Sequence, residues 1–315
     1  MDSVFFLTEV QDLLVPLDGL LRWLSLHTYS TDYLLIAVTL YWSGYARTGA
    51  RLGCSVLTST LVFFCCRQLF TSSRPYWDHP QLFNGLYEKD CGMPSGHSQN
   101  AVTFWGLSAY SSPGRLFWLV ALFFMLTIAT SRLYLGLHYP DQVFTGLFIG
   151  VLMVSFWISF EESLLRKLLS IPLIYQIMVV LFLTGLPCMI TLFLREVLGV
   201  SFGSVSPTPY KQVFFYTGLL SGAGVSLLLA FTRTTINQQQ PSLKLVFSRT
   251  LPGLFILWQL WQFRYFQPEG IKQTHLLYLI FWLQAVLMSF WVCLLWPLLQ
   301  QKYAQIPTGR YHNSH

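Results

Sequence analysis

The sequence has little charge. Of its 315 residues, only 10% are Asp, Glu, Lys or Arg, whereas 54% are hydrophobic. Water-soluble domains carry about 25% charged residues, so this composition excludes an ordinary soluble domain. The formal net charge of +6 is modest and the basic residues are scattered, which gives no sign of a nucleic-acid-binding surface. The composition therefore predicts membrane lipids as surroundings and no nucleic acid as a partner.

Metal-binding cysteine patterns, repeats and long linkers are missing as well. The six cysteines have no spacing typical of metal ligands, and most lie within apolar runs, where cysteine packs as a small hydrophobic residue. The acidic N-terminus has no basic n-region, so we expect no cleavable signal peptide. One polytopic membrane domain is the interpretation that remains.

Apolar runs long enough to cross a membrane are abundant. A spanning helix needs about 20 largely apolar residues. Nine segments come close to that standard, at roughly 30–46, 50–68, 96–112, 115–133, 142–160, 171–194, 212–232, 249–265 and 275–298. The sequence thus predicts an all-α, polytopic transmembrane helical bundle with about nine spans.

Three short polar motifs stand at the ends of these apolar runs. They are Arg67-x6-Arg74-Pro75, Pro94-Ser95-Gly96-His97 and Ser131-Arg132-x5-His138-x2-Asp141. Each alone has an ordinary explanation, as a snorkelling arginine, a capped helix or a loop histidine. Together they place three arginines and two histidines on one predicted membrane face, which favours a phosphate site over coincidence.

Two histidines carry the predicted chemistry. Asp141 follows His138 by three positions at a predicted helix start, and its carboxylate can bind one imidazole nitrogen. The other nitrogen of His138 would then be a nucleophile. His97, in the first turn of a helix, could protonate the leaving alkoxide as a general acid.

The remaining motif residues are predicted to bind the phosphate. Arg67, Arg74 and Arg132 can hold its oxygens through guanidinium groups. Ser95 and Gly96 would add the N-terminus of a helix, where backbone N–H groups and partial positive charge favour an anion. We expect no metal or other cofactor, because arginines would neutralise the phosphate and no carboxylate cluster of the Mg²⁺ type is present.

These motifs resemble the signature of the type 2 phosphatidic acid phosphatase (PAP2) superfamily. That family includes lipid phosphate phosphatases, glucose-6-phosphatase and vanadium haloperoxidases, and its pattern is Lys-x6-Arg-Pro, Pro-Ser-Gly-His and Ser-Arg-x5-His-x3-Asp. Here Arg67 stands at the lysine position. Gln142 stands at the aspartate position, one residue after Asp141. Gln142 is therefore the alternative partner of His138, through its amide oxygen.

The resemblance implies a metal-independent membrane phosphatase that forms a phosphohistidine. A lipid phosphate, such as phosphatidate, phosphatidylglycerophosphate or polyprenyl diphosphate, is the expected substrate. Arg74-Pro75-Tyr76-Trp77 and Gln142 also resemble glucose-6-phosphatase, so a sugar phosphate is the alternative. A phosphate- or lipid-binding protein without catalysis is a further alternative, against which the histidine pair argues; a vanadate-dependent peroxidase is another.

The expected organisation has three parts. Residues 1–29 form an amphipathic interfacial segment, residues 30–160 a PAP2-like catalytic membrane core, and residues 161–315 additional transmembrane helices with a short cytoplasmic tail. Outside the motifs, ten basic residues fall on one predicted side and six on the other. The positive-inside rule then places the motifs outward, towards the periplasm or a lumen. Glu88, Lys89 and Asp90 precede the second motif and could line the entrance of the site, but a solvated loop is the preferred interpretation. The sequence indicates no oligomeric state.

Overall fold

The computed structural model describes residues 3–70, 72–112, 114–197, 208–233, 243–262 and 274–304. Within these ranges the chain forms helices and no strands, which confirms the all-α prediction. The helices are α1 (Ser3–Leu14), α2 (Asp18–Leu26), α3 (Ser30–Trp42), α4 (Ala46–Leu69), α5 (Pro75–Asp78), α6 (Gly96–Tyr110), α7 (Arg115–Tyr134), α8 (Pro140–Leu169), α9 (Leu173–Glu196), α10 (Thr208–Arg233), α11 (Leu243–Gln262), α12 (Thr274–Phe290) and α13 (Trp296–Ala304). A five-residue π-helical turn, Trp291–Leu295, joins the last two.

Six of the described helices are long and apolar enough to cross a membrane. They are Ala46–Leu69, Arg115–Tyr134, Pro140–Leu169, Leu173–Leu194, Tyr210–Ala230 and Leu276–Gln301. Their outward faces carry many exposed leucine, phenylalanine and valine side chains, which water would not tolerate in such numbers but lipid does. The chain is an integral membrane protein with several passes.

The predicted count of nine spans is not confirmed. Predicted spans 30–46 and 96–112 form α3 and α6, which have 13 and 15 residues. At a rise of about 1.5 Å per residue both are shorter than the hydrocarbon core of about 30 Å. Predicted span 249–265 coincides with α11, which is not among the six; its last three residues lie outside the described ranges.

Helix α4 is shared by two layers of the bundle. It packs against α3, α6 and α8 on the side that carries the motifs, and against α9 and α10 on the other. One hydrophobic core joins α3 and α4 to α10, α11 and α12. A second core joins α3 and α4 to α6 and α8. The C-terminal helices are therefore packed directly onto the helices that carry the polar motifs.

Two glycines of α8 allow α6 to approach it closely. A Cβ atom on Gly146 would overlap the carbonyl oxygen of Ser95, and one on Gly150 would lie 2.7 Å from the carbonyl oxygen of Gln99. Small residues four apart are a common device for close helix packing in membranes. This contact fixes the start of α6, and with it the second motif, against the start of α8.

We predict that Gly146→Ala destabilises the protein. The added methyl group has no room beside Ser95, and overpacking of this kind costs about 1–3 kcal/mol. The measurement is thermal unfolding in detergent. Gly185→Ala in α9 is the matched control, because a Cβ there meets nothing within 4 Å and alanine is the better helix former. Equal unfolding temperatures for the two variants would contradict the packing argument.

Candidate active site

The three motifs meet at one end of the bundle. The first runs from the last turn of α4 to the start of α5, the second forms the N-terminus of α6, and the third joins α7 to α8. Arg67, His97 and His138 all line one cavity of about 320 Å³. Arg74, Arg132 and Ser95 are fully buried behind it.

Gln142 holds His138 in one orientation. The Nδ1 atom of His138 lies 3.2 Å from Oε1 of Gln142. The amide nitrogen of Gln142 donates to the Ser72 hydroxyl at 2.8 Å and to the Ser73 carbonyl at 2.7 Å, so Oε1 is the atom that faces the imidazole. Because that oxygen only accepts, Nδ1 of His138 carries the hydrogen.

Arg74 fixes the same tautomer from the other side of the ring. Its Nη1 atom lies 3.3 Å from Nε2 of His138, and a guanidinium can only donate. Burial lowers the pKa of His138 well below its usual range, and the nearby charges of Arg74 and Arg132 lower it further. The imidazole is therefore neutral at neutral pH, with the lone pair of Nε2 on the arginine side.

Asp141 does not take the place expected for it. Its side chain is exposed in the first turn of α8, whereas Gln142 is fully buried. Gln142 is the third residue of this helix, and its Oε1 also accepts the backbone N–H of Tyr139 at 3.1 Å. This capping contact directs position 142 back towards His138 and leaves position 141 on the outer face. The alternative partner, Gln142, makes the contact in place of Asp141.

Arg74 is held by the backbone around it. Its Nε donates to the carbonyl of Asp90 at 2.6 Å and its Nη1 to the carbonyl of Leu137 at 2.8 Å. Its Nη2 donates to the carbonyl of Cys91 at 3.3 Å. The guanidinium thus ties the loop before α6 to the loop that carries His138.

Glu88 neutralises two of the three arginines. Its carboxylate accepts from Nη2 of Arg74 at 2.6 Å through one oxygen and from Nη2 of Arg132 through the other. Arg132 also donates to the hydroxyl of Ser25 in α2. Burial alone would raise the pKa of Glu88, but the charges of Arg132 and Arg74 outweigh that effect and hold it well below its usual range. Glu88 is ionised and lies where an oxyanion would bind both guanidiniums.

Arg67 and Gly96 share an aromatic neighbour. The guanidinium of Arg67 lies over the ring of Phe63, 4.2 Å from its centroid, and its Nη1 is 3.3 Å from a carboxylate oxygen of Asp90. A Cβ atom on Gly96 would lie 2.8 Å from the same ring. Glycine is therefore required at position 96 for α6 to begin this close to Phe63.

His97 faces the cavity from the first turn of α6. Its ring packs edge-on against Tyr29, with centroids 4.5 Å apart. The Nε2 atom of His97 is buried without a hydrogen-bond partner among the described residues. A buried ring nitrogen of this kind is an unusual feature of a folded protein and is typical of functional sites.

Ser95 has a structural contact that the sequence did not predict. Its backbone N–H donates to the carbonyl of Gln142 at 3.0 Å, which links the second motif to the third. Its hydroxyl lies 3.0 Å from the hydroxyl of Ser98 and does not cap α6. A direct bond from Ser95 to phosphate stays a prediction, as do the catalytic roles of the other motif residues.

The motif region matches a known family. The model of the PAP2 superfamily aligns with residues 48–165, a range that contains all three motifs. This segment of the chain is therefore similar to the PAP2 superfamily. The prediction made from the motifs is thereby confirmed at the level of the family.

Two curated relatives match parts of this chain. Lipid phosphate phosphatase delta of Arabidopsis thaliana is 26% identical over an alignment of 163 positions, which covers 47% of this chain and 39% of that protein. Phosphatidylglycerophosphatase B of Bacillus subtilis is 28% identical over an alignment of 90 positions, which covers 26% of this chain and 44% of that protein. The chain spans less than half the length of each. No solved structure matches it.

Some cavity residues were not predicted from the sequence. Glu88 and Asp90 were interpreted as solvated, yet both pair with motif arginines. Tyr29, Tyr216 and Trp261 also line the cavity and come from helices or loops outside the PAP2 segment. The one available signal was local, in the three consecutive charged residues Glu88-Lys89-Asp90 placed just before the second motif.

We predict that Gln142→Ala lowers kcat while Asp141→Ala leaves kcat nearly unchanged. A hydrogen bond between neutral groups contributes about 0.5–1.5 kcal/mol, so kcat should fall by about twofold to twelvefold as His138 loses its orientation. Phosphate release under substrate saturation measures the effect, and the KM of both variants should stay close to wild type. A larger loss of kcat in Asp141→Ala than in Gln142→Ala would show that Asp141 is the partner in solution.

Proposed function

We propose that the chain is a metal-independent membrane phosphatase that works through a phosphohistidine, with a lipid phosphate as substrate. The observation that carries the proposal is the neutral, oriented imidazole of His138, whose Nε2 atom lies 3.3 Å from Nη1 of Arg74. His97 lines the same cavity, so a nucleophile and an acid are available to one phosphoryl group.

In the first step, Nε2 of His138 attacks phosphorus and a P–N bond forms. The bond from phosphorus to the ester oxygen breaks, and His97 donates a proton to the leaving oxygen. Burial and the charge of Arg132 lower the pKa of His97 to about 3 in the free protein, so His97 takes this proton from the entering monoanionic phosphate ester. Arg67, Arg74 and Arg132 stabilise the negative charge on the equatorial oxygens, which is the main demand of phosphoryl transfer. The oxyanion takes over the two guanidiniums that Glu88 occupies in the free protein.

In the second step, His97 accepts a proton from water as the water attacks phosphorus. The P–N bond breaks, inorganic phosphate leaves, and His138 returns to its neutral form. Gln142 keeps the Nδ1 hydrogen in place through both steps. The arginines carry out the charge neutralisation for which other phosphatases use metal ions.

The position of the arginines favours a lipid phosphate as substrate. Arg67 ends the spanning helix α4, and Arg132 lies in the last turn of spanning helix α7. Both positions correspond to the headgroup level of a bilayer, at which lipid phosphates reside. The two relatives, a lipid phosphate phosphatase and a phosphatidylglycerophosphatase, support the same class of substrate. When α3, α6 and α11 are counted as spans, the distribution of basic residues also supports a site that faces the periplasm or a lumen.

The test is phosphate release by the purified protein in detergent. Phosphatidate, phosphatidylglycerophosphate, a polyprenyl diphosphate and glucose 6-phosphate are compared, each with and without a metal chelator. We expect the lipids to be hydrolysed faster than the sugar phosphate and the chelator to have no effect. His138→Ala should reduce release to background, and His97→Ala should reduce it by about 10²–10⁴-fold.

Other results of this assay would point elsewhere. Faster hydrolysis of glucose 6-phosphate than of any lipid would favour a sugar phosphatase. Loss of activity in chelator that Mg²⁺ restores would refute the metal-free mechanism. Binding of a lipid phosphate with no release from any substrate would favour a protein that binds phosphate without catalysis.

A further inference from the structure

A second, apolar cavity of about 590 Å³ lies beside the candidate active site. Its walls come from α3, α4, α10, α11 and the α12 region, and of these only α4 belongs to the PAP2 segment. Its volume falls within the range of about 300–1,000 Å³ that is usual for small-molecule sites. The family signature does not account for this cavity.

The two cavities are neighbours. Thr31 and Trp261 line both of them. From Thr31 the apolar cavity follows one face of α3 as far as Tyr41, a length of ten residues or about 15 Å. That length is about half of a 30 Å hydrocarbon core, which is the depth that one lipid chain occupies below its headgroup.

The cavity is also accessible from the membrane. Leu35 and Trp258 line it and expose about half of their side chains, 48% and 53% respectively. Most other lining residues are aliphatic or aromatic. A hydrocarbon chain that enters the cavity would therefore bury few polar groups of the protein. A chain could enter sideways between α3 and α11 while its phosphate stays at headgroup level.

We propose that this cavity, here called the tail cavity, binds one long alkyl or isoprenoid chain of the substrate. The proposal rests on the proposed phosphatase function and assigns a role to the C-terminal helices, which form most of the tail cavity. It predicts that catalytic efficiency depends on chain length, because each buried CH₂ group contributes about 0.8 kcal/mol.

Filling the tail cavity tests the proposal. Gly53 lines it, and a Cβ there would meet the Ala37 side chain at 3.6 Å, an ordinary contact. We expect Gly53→Leu to lower kcat/KM for hexadecyl phosphate by at least about tenfold, the worth of roughly two buried CH₂ groups. For butyl phosphate, kcat/KM should stay within about twofold of wild type. Gly185→Leu, where a Cβ meets nothing within 4 Å, should leave both values unchanged.

The outcomes separate the tail cavity from the catalytic proposal. An equal loss with both substrates, or an unchanged dependence on chain length, would overturn the tail cavity. Failure of the wild type to hydrolyse any alkyl phosphate would instead overturn the phosphatase function. In that case alkylphosphonates, which have no ester bond at phosphorus to break, still test chain binding by their effect on the unfolding temperature of wild type and Gly53→Leu.

A separate observation concerns Glu88. Arg74 and Arg132 have no exposed surface and do not line the open cavity, whereas Glu88, which pairs with both, does line it. Tyr76 fixes the Glu88 backbone, since its hydroxyl donates to the Glu88 carbonyl at 2.6 Å and accepts from the Glu88 N–H at 2.9 Å. The carboxylate thus stands between the cavity and two phosphate-binding arginines.

We also infer that Glu88 is a specificity-determining residue that excludes phosphodiesters. Bulk phospholipid headgroups are phosphodiesters with one negative charge, and they surround any site at headgroup level. A tethered carboxylate with the same charge competes with them at high effective concentration. A phosphomonoester carries about −1.5 to −2 at neutral pH, so it can displace Glu88 from both guanidiniums where a diester is held out.

The test is binding to wild type and Glu88→Gln, which keeps the size of the side chain and removes its charge. The probes are hexadecyl methyl phosphate, a diester, and hexadecylphosphonate, which resembles a monoester. We expect Glu88→Gln to tighten the Kd of the diester by at least about tenfold and that of the phosphonate by clearly less. Glu9→Gln, which neutralises an exposed carboxylate of α1 outside the site, is the matched control and should change neither. Equal changes for both probes, or none for the diester, would overturn the inference.

Discussion

The structure depends on the burial of three guanidinium groups at the end of a membrane bundle. A buried charge is costly unless it is paired and hydrogen-bonded. Glu88 and Asp90 supply the pairing, while backbone carbonyls of the loops before α6 and α8 accept the remaining hydrogens of Arg74. The segment between α5 and α6 is therefore ordered around charges that a phosphate would otherwise neutralise. A substrate of the same charge can replace these partners without leaving the arginines unpaired.

Close helix packing turns this charge cluster into a site of defined geometry. Gly146 and Gly150 bring α8 against α6, so that the N–H of Ser95 reaches the carbonyl of Gln142. The amide of the same Gln142 orients His138. Gln142 thus joins two motifs that are more than forty residues apart in the chain. Its backbone carbonyl binds the start of α6, and its side chain binds the imidazole of His138.

The motifs made most of the candidate site predictable from the sequence. Arg67, His97 and His138 line one cavity because each stands at a helix end on the same side, a placement that apolar runs and polar interruptions reveal. Asp141 was a different case, since choosing between positions 141 and 142 depends on how the first turn of α8 caps itself. The contact of Glu88 with the arginines was not predicted for a related reason. Glu88 lies in an irregular loop, where no periodicity indicates which way a side chain points, so a solvated position was preferred over the site entrance.

The number of spans was harder to predict than the helices themselves. Hydropathy identified the segments that became α3 and α6, but it does not measure how far a helix extends before a loop or a polar motif ends it. The C-terminal helices were also predicted as apolar runs, but their position beside the site was not predicted. That position depends on contacts between residues far apart in sequence, such as the hydrogen bond from Trp42 to the carbonyl of Val292 at 2.9 Å.

The ring of Phe63 has a consequence for how the chain can vary. It packs against the guanidinium of Arg67 in the first motif, and it limits the size of the side chain at position 96 in the second motif. A larger side chain at position 96 would push the ring, and the ring would carry the arginine with it. Positions 63, 67 and 96 are therefore constrained as a unit, and a chain that changes one of them must adjust the others to keep its anion site in register.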